Sequence, residues 1–328
     1  MVLKERAVPL KLYGLGALEK RLGIEDENYS YIRRKRLSAQ AGVGGEEILD
    51  RVFLNNKFNH EYRIIHDLHL SANSNFQIDT VFFTPSYVVV LEMKNFAGRV
   101  RFEENPRQMI RTMPNGQQDA YDCPGVQLEK NSMLLKEWLF DRGFDLPIYG
   151  AVVFARSSTQ FENTPPFKVL FPSELPVYLR KIHNPGRELD SGTFQMLAHE
   201  LANSHVVFNP FPICKTFRIP ESSVMTGVEC KHCAKLGMVK LKKGWSCLPC
   251  GFVDRNAHQQ AIVDWFMLFG GKLTNKECRR FLQIEKAQTA TRILESSGLI
   301  SKGERKGRVY SMDLLEFFNK ESFKKRNR

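Results

Sequence analysis

Asp79, Glu92 and Lys94 interrupt an otherwise apolar stretch, QIDTVFFTPSYVVVLEMKNFAG at 77–98. The stretch reads as two strands joined by a two-residue turn inside TPSY. That turn sets Phe83 opposite Val88, Val81 opposite Val90 and Asp79 opposite Glu92. Side chains alternate along a strand, so Asp79, Glu92 and Lys94 share one face and Met93 points to the other. Buried charges are costly unless compensated, and two facing carboxylates repel one another. Lys94 offsets part of that repulsion. A divalent cation on oxygen ligands, Mg²⁺ or Mn²⁺, would resolve the rest. A structural ion pair between Lys94 and one acid uses the same residues, so both readings stand at this point.

The second reactive pattern is a cysteine quartet. Cys230-x-x-Cys233 and Cys247-x-x-Cys250 are separated by 13 residues. Each CxxC forms a knuckle that presents two sulfurs, and four thiolates favour tetrahedral Zn²⁺. Rubredoxin-like iron or redox thiols are the alternatives. A ribbon this short cannot build its own core, so the metal is expected to supply its folding energy. Lys231, Lys235, Lys240, Lys242 and Lys243 surround the quartet, with Trp245 as a candidate stacking ring for nucleic acid. His232 is not needed as a ligand. Cys123, Cys214 and Cys278 lack partners at ligand spacing, and His60, His66 and His69 read as structural or exposed.

The elements that must position these groups follow from periodicity. A helix over 43–57 puts Ile48, Leu49, Val52 and Phe53 on one face. Glu46 then falls about 90° from the centre of that face, where it can reach the sheet boundary, while Glu47 points to solvent. Gly42, Gly44 and Gly45 are expected to turn the chain tightly into this helix. Strands follow at YRIIHDLHL, in the hairpin and at VRFEEN. After a polar loop come a helix over 125–141, stopped by Gly143, and the strand PIYGAVVFA. The order α-β-β-β-α-β with doubly apolar strands predicts a central sheet covered by helices on both sides.

GVGGEEILDRVF, QIDTVFF, VVVLEMKNFAG and PGVQLEKNSMLLKEWL, in that order, resemble the NERD (nuclease-related) domain of the PD-(D/E)XK nuclease superfamily. The resemblance covers roughly 38–160. It implies an α/β restriction-endonuclease-like core and metal-assisted phosphodiester hydrolysis, with DNA favoured as substrate. By the family pattern Asp79 and Glu92 hold the metal, Glu46 is an accessory acid, Lys94 is the catalytic lysine and Gln127 supports the site. Where the family has Asn-Pro before that glutamine, this chain has Cys123-Pro124.

The C-terminal third has a different character. Of the net charge of +12, the residues from Glu221 onward supply 21 basic against 11 acidic side chains, which suggests a nucleic-acid partner. HQQAIVDWFMLFGGK, LTNKECRRFLQI and EKAQTATRILESSG read as three helices, the second capped by Thr274 or Asn275. LISKGERKGRVYSM reads as a basic-tipped hairpin. This pattern resembles a winged helix-turn-helix. Lys286, Gln288, Thr289 and Arg292 would lie on its recognition helix, and Lys302, Arg305, Lys306 and Arg308 on its wing. Such modules also bind proteins.

The expected organisation is an N-terminal arm (1–37) packed on the first domain, a nuclease-like domain (38–212), a zinc ribbon (225–256) and a winged-helix-like module (257–328) with a basic tail. No apolar run is long enough to span a membrane and no secretory signal is evident, so a cytoplasmic location is expected. A protein that keeps the nuclease fold only for binding or regulation, and a nuclease directed at RNA, are the competing readings.

Overall fold

Val88, Val89, Val90 and Leu91 are all fully buried. The strand carrying them is therefore covered on both faces, and that requirement sets the architecture. The computed structural model describes residues 1–7, 9–182 and 188–318. Its first elements are β1 (Val2–Lys4), α1 (Leu10–Glu19), α2 (Tyr29–Leu54), β2 (Arg63–Ser71), β3 (Asn75–Phe83) and β4 (Val88–Lys94). There follow β5 (Arg99–Glu104), β6 (Arg107–Thr112), β7 (Gln118–Asp122), α3 (Pro124–Phe140), β8 (Ile148–Phe154), β9 (Gln160–Phe161), β10 (Val169–Leu170), α4 (Leu175–Lys181) and α5 (Ser191–Asn203). The remainder comprises α6 (Ile213–Phe217), β11 (Val239–Leu241), β12 (Gly244–Ser246), β13 (Val253–Asp254), α7 (Ala257–Phe269), β14 (Leu273–Thr274), α8 (Asn275–Leu282), α9 (Ala287–Ser296), β15 (Ile300–Lys302) and β16 (Val309–Ser311). Two units result: Met1–Ala7 with Gln40–Phe208, and Val8–Ala39 with Asn209–Arg328.

The first unit is built on a mixed sheet of order β1-β2-β3-β4-β8-β10. Strands β2, β3 and β4 run antiparallel, while β1, β8 and β10 join their neighbours in parallel. One face packs Val81, Phe83, Val88 and Val90 against Leu135, Trp138 and Leu139 of α3 and Phe194 and Leu197 of α5. The other face packs Phe82, Val89 and Leu91 against Leu49 and Phe53 of α2 and Leu175 and Leu179 of α4. This mixed α/β arrangement is consistent with a nuclease-like fold. The hairpin has the expected register, Phe83↔Val88 and Val81↔Val90, but the ladder stops at Thr80↔Leu91, one step short of Asp79 and Glu92.

Three features of this unit differ from the sequence reading. Helix α2 begins at Tyr29 and runs through Gly42, Gly44 and Gly45 instead of starting after them. A Cβ on Gly45 would stand 2.9 Å from Asn95 Cβ and 3.3 Å from Met93 Cγ; the glycine lets the helix lie close against the end of β4. The polar loop after VRFEEN is two more strands, β6 and β7, in a second sheet of order β7-β6-β5-β9. Of the segment expected to be an arm on the first domain, Met1–Ala7 alone belongs to that unit.

Residues 8–39 belong instead to the second unit. Leu15, Leu18, Leu22 and Ile32 share a core with Trp245, Ile262, Phe266, Phe281 and Leu294. Arg21, fully buried, donates from Nε and Nη2 to Asp264 Oδ2 (3.1 and 3.0 Å) and from Nη1 to the carbonyls of Met225 and Gly227. The cysteine ribbon and the helices after it are thus parts of one packed core. The three C-terminal helices form as expected. Thr274 caps α8 in a reciprocal capping box with Glu277, and α9 ends ahead of Gly298 at φ +65°. The expected hairpin is a three-stranded sheet, β14-β16-β15. The basic tail at 323–328 lies outside the described residues. Among those described, no helix is long and apolar enough to cross a membrane.

Candidate functional site

The end of the hairpin gathers four of the expected residues. Asp79 and Glu92 are 9% and 2% exposed. Asp79 Oδ2 accepts the Met93 N–H (2.8 Å), which fixes one carboxylate oxygen against β4. Lys94 Nζ donates to Glu92 Oε1 (2.7 Å) and to Gln127 Oε1 on the first turn of α3 (3.0 Å). Helix α3 starts with Pro124 at its first position, and Cys123 caps it without any side-chain hydrogen bond. With Cys123 at that cap, Gln127 still lies on the first turn of α3.

The electrostatics of the acid pair are unfavourable as they stand. Burial, and then the Asp79 carboxylate, push the Glu92 carboxyl up to about 8, with Lys94 opposing. Among the described residues, Glu92 Oε2 is buried with no hydrogen-bond partner. A buried oxygen without a donor, beside a second carboxylate, fits a hard divalent cation, and Asp79 and Glu92 are the residues that would hold it.

Glu46 reaches this region through a residue that sequence reasoning missed. Arg6, 13% exposed, follows β1 and sits with Nη1 3.4 Å from Glu46 Oε2. Its Nε donates to both oxygens of Asp50 (3.0 and 2.9 Å), Nη1 to the Asp79 carbonyl (3.0 Å) and Nη2 to Thr80 Oγ1 (3.1 Å). Burial outweighs the pull of Arg6 and, helped by Asp79, raises the Glu46 carboxyl to about 7. Glu47 is exposed, as expected. His66 hydrogen-bonds Thr80 Oγ1 through Nδ1 (3.0 Å) and is held neutral, its pKa lowered to about 3 by burial and by Arg6 and Lys4. Asn95 ties β4 to α2 by donating to the Ala41 carbonyl (2.8 Å).

Residues 41–155 match the family model NERD, the nuclease-related domain. Glu46, Asp79, Glu92, Lys94 and Gln127 all fall inside the NERD segment, and Arg6 falls outside it. Searches of curated proteins and of solved structures returned no match.

In the second unit, Sγ of Cys230, Cys233, Cys247 and Cys250 all lie within 4.8 Å of one another. Cys230–Cys250 and Cys233–Cys247 are 3.7 and 3.5 Å apart, close to the edge of about 3.8 Å expected for a tetrahedron with metal–sulfur bonds of about 2.3 Å. The two knuckles share one geometry. Ala234 N–H donates to Cys230 O and Gly251 N–H to Cys247 O, both at 2.8 Å, with Ala234 and Gly251 left-handed at φ +58° and +71°. Burial and the neighbouring sulfurs push the Cys247 thiol up, and four sulfurs at these distances are the arrangement that one tetrahedral cation satisfies.

The expected nucleic-acid contacts around the quartet need correction. Trp245 is fully buried and donates to His258 Nδ1 (3.1 Å), so it cannot stack on a base. Lys240 is tied to the carbonyls of Leu241 and Gly244, and Lys231 to Asp254 (2.8 Å). Lys242 and Lys243 are exposed, as are Lys286, Gln288 and Arg292 around α9 and Lys302 and Arg305 beyond it. Thr289 is half-buried. Arg308 pairs with Glu295 (2.7 Å), and the side chain of Lys306 lies outside the described residues. Cys123, Cys214 and Cys278 are buried thiols.

Proposed function

We propose that this protein is a divalent-metal-dependent nuclease that hydrolyses phosphodiester bonds, with DNA as its substrate. The observation that carries the reading is the Asp79–Glu92–Lys94–Gln127 arrangement inside the NERD match, with Glu92 Oε2 buried and, among the described residues, unpartnered. A bound Mg²⁺ or Mn²⁺ supplies Lewis-acid stabilisation of the phosphate and acidifies water. Asp79 and Glu92 hold the cation. Lys94, fixed between Glu92 and Gln127, places a positive charge where negative charge develops on the scissile phosphate. Glu46, linked to the Asp79 backbone through Arg6, is the accessory acid. The choice of DNA follows the family resemblance.

The second unit binds or targets the substrate in this reading. The cysteine quartet holds Zn²⁺. The order α7-β14-α8-α9-β15-β16 supports a winged helix-turn-helix, with Lys286, Gln288 and Arg292 on the recognition helix and Lys302, Arg305, Lys306 and Arg308 on the wing. Lys242 and Lys243 extend the basic surface.

The test is cleavage of supercoiled, linear and single-stranded DNA and of RNA, with Mg²⁺ or EDTA. Wild type is expected to cut DNA only with Mg²⁺. Asp79→Asn should abolish cutting, and Lys94→Ala should slow it by about 10²–10³-fold, the usual loss of one charge-stabilising group. Cutting that survives both substitutions would remove the assigned site, and no cutting of any substrate would favour a binding or regulatory role.

A further inference from the structure

Asp79 occupies a gap in the hydrogen-bond ladder. On the β2 side the pairs His66↔Thr80 and Leu68↔Ile78 flank it, and on the β4 side pairing begins only at Thr80↔Leu91. Opposite it in β2, Asp67 takes a left-handed conformation at φ +48°. The face that each strand turns to the α3 core also changes here. Ile65 and Leu68 in β2, and Ile78 and Val81 in β3, lie in the same core although strict alternation would separate them. The strands are irregular at the residue that carries the key carboxylate.

A side chain from far away in sequence fills this gap. Arg6 Nη1 and Thr80 Oγ1 both donate to the Asp79 carbonyl, at 3.0 and 2.8 Å. Arg6 Nη2 donates to the same threonine oxygen, and His66 Nδ1 lies 3.0 Å from it. The guanidinium is aimed by Asp50 at its Nε, and the preceding strand is anchored by Lys4 Nζ donating to the carbonyls of His66 and Asp67 (2.9 and 2.8 Å). The same Nη1 meets Glu46 Oε2. One planar fork therefore sets both the backbone of Asp79 and the carboxylate of Glu46, a task that a point-charge lysine does not perform.

We propose that Arg6 is the positioning residue of the acid site, fixing Asp79 and Glu46 in the geometry that binds a divalent cation. The inference rests on the metal-site reading above and adds to it a residue from outside the NERD segment. Groups that orient metal ligands typically change metal affinity by about 10–100-fold when altered.

Mn²⁺ binding to the full-length, zinc-loaded chain, followed by water-proton relaxation and calorimetry, tests this. Wild type is expected to bind a Mn²⁺ that Asp79→Asn does not. Arg6→Gln and Arg6→Lys should both weaken that binding about 10–100-fold. The Mn²⁺ concentration needed for half-maximal cleavage should rise in parallel, while the KM for DNA stays unchanged. A purely structural Arg6 would lower thermal stability and leave Mn²⁺ affinity intact. Wild-type affinity in folded Arg6→Gln, or its full restoration in Arg6→Lys, would refute the positioning role alone. Absence of any Asp79-dependent Mn²⁺ binding in wild type would refute the metal-site reading with it. If neither Arg6 variant folds, Asp50→Asn decides: a severalfold weaker site supports the role, and wild-type affinity rejects it.

Discussion

His66 gives the acid network a measurable pH signature. Burial and the nearby cations lower its pKa from 6.5 to about 3. The unfolded chain takes up a proton on this imidazole below about pH 6.5, whereas the folded chain does so only near pH 3. Stability is therefore lost as pH falls through that window. Glu46 runs the other way: its folded pKa is raised from 4.5 to about 7, so its contribution is full below 4.5 and is lost as pH rises to about 7. The difference between wild type and His66→Gln isolates the histidine. Urea denaturation across the window should give a flatter acid limb in the variant, which also loses packing against Phe53; parallel limbs would show that His66 does not couple stability to pH. The hairpin register makes Asp79, Glu92 and Lys94 legible in the sequence, whereas Gln127 is legible only through the family resemblance. Arg6 is not legible there, because nothing in KERA distinguishes it and its partners lie 40 to 74 positions away.

Helix α2 shows how an element can hide in its sequence. Its buried positions change core along its length: Ile32 packs in the second unit, Leu49 and Phe53 in the first. No single apolar stripe runs from end to end, and the glycines look like a start signal. Their roles differ, and a pair of substitutions separates them. A Cβ on Gly42 would meet nothing within 4 Å among the described residues, so Gly42→Ala should stabilise the chain by about 0.5–1 kcal/mol through helix propensity. Gly45→Ala drives its methyl into Asn95 Cβ, whose side chain is tied to Ala41, and should cost about 1–3 kcal/mol. Thermal or urea denaturation of both variants checks the pair; equal shifts would show that the approach of α2 to β4 is not limiting. Strands β6 and β7 were missed for another reason. Only Met109 and Thr112 of β6 are buried and β7 has no buried residue, so no alternating apolar face marks them in the sequence. Their strand character comes from pairing with β5, which is tertiary context.

The two-unit organisation changes what a metal at the cysteine quartet should do. Reading the ribbon as a free-standing 225–256 segment makes the metal its main source of folding energy. Instead Val228, Cys230, Met238, Trp245 and Cys247 belong to the core that also holds Leu15, Leu18, Phe266 and Phe281. Zinc removal should therefore loosen the whole second unit without unfolding the ribbon alone. Its contribution should be several kcal/mol, below the about 10–16 kcal/mol of isolated zinc-finger peptides, because the apolar contacts remain. Two of the three tryptophans, Trp245 and Trp265, lie in this core, while Trp138 lies in the first unit. A Trp138→Phe background makes tryptophan emission report on the second unit only. Chelating the zinc should shift that emission to longer wavelength and lower the midpoint of its thermal transition. Cys233→Ser, which removes one ligand, should do the same without chelator. A transition unchanged after removal of a full equivalent of zinc would mean that the quartet does not hold this core together.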